Sequence, residues 1–105
     1  MRDVHEIFTV FKAEFPEVYA KYETLGKQVH LETGPLPEQT RALVKIAIAA
    51  SSGHQRALET HLTAAHEAGV QKADVEHTLL LLIATCGFPA FMEAYSVYHG
   101  MSLWS

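Results

Sequence analysis

The chain has 105 residues, 49% of them apolar, and a formal charge of −4 at neutral pH. That composition excludes a disordered polypeptide, and the length suits one small domain, residues 1–105, with little room for a large core. The acidic balance without a Lys/Arg cluster argues against a nucleic-acid partner, and the single cysteine, Cys86, excludes an internal disulfide and any Cys-x-x-Cys redox or zinc motif.

Taken in chain order, the signals are helical throughout. The opening Met-Arg-Asp-Val-His-Glu lacks the apolar region of a signal peptide, so a cytoplasmic protein is expected. Asp3 suits the cap of a first helix, whose stripe Val4, Ile7, Phe8, Val10, Phe11 and Phe15 runs up to Pro16. Pro16 sits near the start of a second helix with Val18, Tyr19, Tyr22, Leu25 and Val29 at helical spacing, ending near Leu31 before Thr33-Gly34-Pro35. Pro37 suits the first position of a third helix, expected over residues 37–51. A fourth is expected over residues 53–68, ended by Gly69 as a left-handed residue. The fifth starts near Ala73 or Asp74 and is broken by Gly87-Phe88-Pro89, and the sixth runs from Pro89 to about His99.

Arg41 to Gly69 is the most site-like stretch. A helix advances about 100° per residue, so His54 and His61, seven residues apart, fall nearly in line with Ala57 between them. Two imidazoles flanking a small residue can line a pocket. They make a poor metal clamp, because seven residues span about 10.5 Å along the axis while zinc sits about 2.1 Å from each ligand. No metal and no cofactor are expected. His66 points away from this stripe and reads as solvated, while Cys86 reads as inert packing. Phe91, Tyr95 and Tyr98 read as core or interface aromatics, and Arg41 as either a carboxylate ligand or a solvated charge.

The run Leu79-Leu80-Leu81-Leu82-Ile83 covers every side of the fifth helix. Up to Ala84 it is far too short to span a bilayer, so no membrane partner is expected. A helix apolar all round must be covered all round, and a short chain has few elements for the task. The economical expectation is an obligate homo-oligomer, with the fifth or third helix meeting another copy.

With this layout, Gly34-Pro35-Leu36, the helix Arg41 to Ala50, His61-Leu62-Thr63-Ala64-Ala65, Glu67-Ala68-Gly69-Val70, Asp74-Val75-Glu76 and Gly87-Phe88-Pro89-Ala90 follow one another in an informative order. In them the chain resembles the carboxymuconolactone decarboxylase family, which includes the alkylhydroperoxidase D-like proteins. The resemblance implies an all-α, single-domain bundle of about six helices that assembles as a dimer, trimer or hexamer. Redox members carry a glutamate, two cysteines at Cys-x-x-Cys spacing and a histidine four residues later. The corresponding positions here are Ala42, His54, Ala57 and His61, so the histidine alone is kept. A thiolate is the nucleophile of peroxide reduction, and neither imidazole nor methyl replaces it. The decarboxylase branch places a glutamate four residues before the histidine, which is again Ala57, and Glu59 lies on a different face.

Two functions follow as expectations. The first is action on, or binding of, a small carboxylated or lactone-like molecule, with His61 as acid–base residue and His54 as helper. The second is a non-catalytic oligomeric module that keeps the scaffold after losing its chemistry.

Overall fold

The computed structural model describes residues 4–105, with side chains from Glu6 onward, so the expected Asp3 cap lies outside the described residues. Six α-helices and no strand occur among them, as expected for an all-α chain. None is long and apolar enough to cross a membrane. The contacts divide the chain into two compact units, residues 1–35 and 36–105.

In the first unit, α1 (Val4–Glu14) and α2 (Pro16–Lys27) form a hairpin. Phe15 joins them at φ −132° and ψ 64°, outside the α region that a residue before proline avoids. The two helices meet through rings: Phe8 lies 6.4 Å from Tyr19 and 6.1 Å from Tyr22, and Phe11 lies 6.1 Å from Tyr19. Lys12 places its ammonium 5.2 Å above the Tyr19 ring. The second helix was expected to remain α-helical to Leu31. Its α-helical part instead ends at Lys27, and Gln28–Glu32 continue as a π-helical segment just after Gly26, a poor helix former.

The second unit holds the buried core in four helices: α3 (Glu38–Ser51), α4 (Gln55–Glu67), α5 (Lys72–Cys86) and α6 (Phe88–Met101). Each contributes a stripe at helical spacing, such as Leu58, Leu62 and Ala65 from α4 and Val75, Leu79 and Leu82 from α5. Full burial of each such leucine contributes roughly 1.5–3 kcal/mol. The boundaries moved slightly from expectation. Pro37 is the cap residue before α3 rather than its first residue, α5 begins at Lys72, and α6 extends to Met101.

Glycine closes two of these helices in the same manner. After α4, Gly69 at φ 80° donates to His66 at 3.1 Å, and Val70 donates to Ala65 at 3.0 Å. This double closure satisfies carbonyls at the helix end and tucks Val70 into the core. After α3, Gly53 at φ 73° donates to Ala50 at 3.3 Å and His54 donates to Ala49 at 3.1 Å. The fifth helix buries Val75, Leu79 and Leu82. Leu80 and Leu81 remain 52% and 59% exposed.

Candidate functional site

The α3–α4 junction sets the positions of both candidate histidines. The backbone of His54 serves two helices at once. Its N–H completes the closure of α3, and its carbonyl accepts the Leu58 N–H at 2.9 Å to open α4. Its φ of −89° and ψ of 84° are not helical, so α4 starts at Gln55 rather than at Gly53. The expected start of α4 at Gly53 is corrected accordingly: His54 is the cap residue just before the helix. The His54 side chain is exposed.

His61 lies mid-way along α4 and is half-buried at the edge of the stripe formed by Leu58, Leu62 and Ala65. Ala57, one turn earlier, is also half-buried and packs against the core. Glu59 is exposed, as its spacing from His61 implies. Ala42 is buried in α3 as part of the core. The start of α4 is tied to α6 by Gln55 Nε2, which donates to Glu93 Oε2 at 2.8 Å. The Arg41 guanidinium donates to the Leu36 carbonyl, across the turn before α3.

Other candidates stand as follows. His66 is exposed but not merely solvated: its ring meets the edge of Trp104 at 5.1 Å. Cys86 is exposed, contrary to the packing role expected: it continues the stripe of Val75, Leu79 and Leu82 but is the last residue of α5. It borders a cavity of about 310 Å³ with Ile48 and Leu81. Phe91 and Tyr98 are core aromatics, whereas Tyr95 is partly exposed. Among the described residues, no three His, Cys, Asp or Glu side chains gather in a way that would hold a metal.

A second polar constellation escaped the sequence reading. Tyr98 Oη donates to Glu76 Oε2 at 2.9 Å, joining α6 to α5. Burial first, and then this bond to a carboxylate, push the Tyr98 hydroxyl up to about 12. Trp104 Nε1 donates to the Val70 carbonyl at 2.9 Å, fastening the C-terminal segment over the α4–α5 turn. A signal was present. Glu76 and Tyr98 stand at equal separations on either side of Gly87, the turn of an α5–α6 hairpin, so antiparallel packing brings them level.

Compared with known families, residues 16–99 match the model of the Carboxymuconolactone decarboxylase family, well over half of the chain. A comparison with curated proteins gives no significant match.

Proposed function

The chain belongs to the carboxymuconolactone decarboxylase family, and we propose that it handles a small carboxylated or lactone-like molecule beside Ala57 and His61, with His61 as the acid–base residue and exposed His54 as helper. The observation that carries this reading is the half-burial of His61 next to a small side chain. An imidazole so placed is partly shielded from water yet within reach of a ligand, and imidazole is a common general acid or base. The chemistry proposed is proton transfer. It is not thiol peroxidase chemistry, because the two thiol positions of the redox members hold His54 and Ala57 here.

A thermal-shift series with small carboxylates and lactones tests this reading on wild type and His61→Ala. Stabilisation of several degrees that is lost in the variant supports the site. Equal stabilisation of both proteins overturns it.

A second reading, a homo-oligomeric module without catalysis, is favoured by Ala42. The position that carries a glutamate in redox relatives is here given to core packing. The aliphatic flank of Ile48 and Leu81, each 59% exposed, suits contact with another copy of the chain, in assemblies from dimer to hexamer. Light scattering after size exclusion checks this: a mass of two or more chains is expected, falling in Leu81→Glu. An oligomer that takes up none of the ligands favours the second reading over the first.

A further inference from the structure

Along α5, Lys72, Glu76 and Leu80 recur every four residues and follow one flank of the helix. This is the flank toward α6. Leu81, about 100° further round, lies on the flank toward α3. Two cavities open along the α5–α6 flank. One of about 240 Å³ is lined by Lys72, Glu76, Tyr95, Tyr98, His99 and Trp104. The other, of about 430 Å³, is lined by Glu76, Leu80, Phe91 and Tyr95. They share Glu76 and Tyr95, so they form one groove with a polar end and an apolar end.

The two ends differ in chemistry. At the polar end an ammonium and a carboxylate project from positions one helical turn apart, roughly 5–6 Å between Cβ atoms. Lysine preceding glutamate is the weaker order for a pair within a helix, which favours partners from outside. The carboxylate is held in place by the Tyr98 hydroxyl at 2.9 Å. A lone cation in this groove meets Lys72, and a lone anion meets Glu76. A molecule bearing both charges on neighbouring atoms satisfies both. At the apolar end Tyr95 lies nearly parallel to Phe91, 14° between planes and 5.4 Å between centroids, giving a flat aromatic wall beside Leu80.

We propose that the α5–α6 groove binds a free amino acid with an aromatic side chain, its ammonium on Glu76, its carboxylate on Lys72 and its ring against Tyr95 and Leu80. The groove lies within the size range of small-molecule sites. It uses neither His61 nor His54 and is independent of the activity proposed for them.

Trp104 is the chain's one tryptophan and borders the polar end, so it reports on occupancy. The experiment is titration of L-phenylalanine into the full chain, followed by Trp104 emission and by calorimetry. A saturable change in the millimolar range or tighter is expected. Glu76→Gln keeps an oxygen for the Tyr98 hydroxyl and removes the charge, and is expected to weaken binding about tenfold. Lys72→Ala, at an exposed position, is expected to weaken it by about the same factor. Phenethylamine and 3-phenylpropionate, each keeping one charge, are expected to bind about tenfold less tightly than L-phenylalanine. His61→Ala leaves the affinity unchanged. The proposal is overturned by the absence of saturable binding, by undiminished affinity in Glu76→Gln or Lys72→Ala, or by phenethylamine binding as well as the amino acid.

Discussion

The phenol of Tyr98 and the carboxylate of Glu76 are bonded at 2.9 Å between two antiparallel helices, beside a water-accessible cavity. Tyr98 ordinarily loses its proton near 10, and in the folded chain near 12. A raised folded value means that the native state is fully favoured below about pH 10. That advantage is lost as pH rises from about 10 to 12. Urea unfolding of wild type should therefore show stability falling across this window, with a shallower fall in Tyr98→Phe. At neutral pH the same variant should be less stable by about 1.5 kcal/mol, the low end for a bond to a charged group.

The closure of α4 gives a second expectation. Gly69 has φ 80°, yet a Cβ built there meets Gln39 Nε2 at 3.6 Å, which is ordinary contact. The cost of Gly69→Ala is therefore conformational rather than steric, about 1–2 kcal/mol. Gly69→Asn should recover part of it, because asparagine tolerates the left-handed region. Thermal unfolding would distinguish the two, at about 4–8 °C per kcal/mol for a chain of this size.

Neighbouring leucines of α5 give a third. Leu79 is fully buried and Leu80 is half exposed. Leu79→Ala should cost about 2–5 kcal/mol, whereas Leu80→Ala should stay within about 0.5 kcal/mol. Denaturant midpoints measured on both variants check the contrast, and equal losses would contradict it.

That pair also marks what the sequence makes legible. Helical periodicity, the prolines and Gly69 locate the helices of the core unit to within a residue or two, because caps and breakers act locally. Five aliphatics in a row carry no period, so they say that α5 is apolar without saying which side faces inward. The side is chosen by the packing of α3 and α6. The start of α4 falls two residues later than expected, at Gln55, since Gly53 and His54 complete the closure of α3. Glu76 and Tyr98 become partners only when the hairpin forms.

A fourth expectation concerns Trp104. Its indole donates to Val70 at 2.9 Å, and its ring meets His66 at 5.1 Å and Tyr98 at 5.8 Å. Trp104→Phe retains much of the ring contact and loses the donor, leaving the Val70 carbonyl without this bond. A loss of about 0.5–1.5 kcal/mol is expected in urea unfolding. Amide hydrogen exchange should rise in the α4–α5 turn, where the indole bond anchors the chain.

The main chain at position 54 ends one helix and starts another, while its side chain faces solvent. Architecture there is written in backbone atoms that every residue except proline possesses. The side chain there is thus interchangeable without redrawing the fold. His54→Cys combined with Ala57→Cys would set a dithiol at the start of α4, where a helix N-terminus favours thiolate. The junction acts as a socket: descent can exchange imidazole for thiol, or the reverse, and keep the scaffold that holds either one.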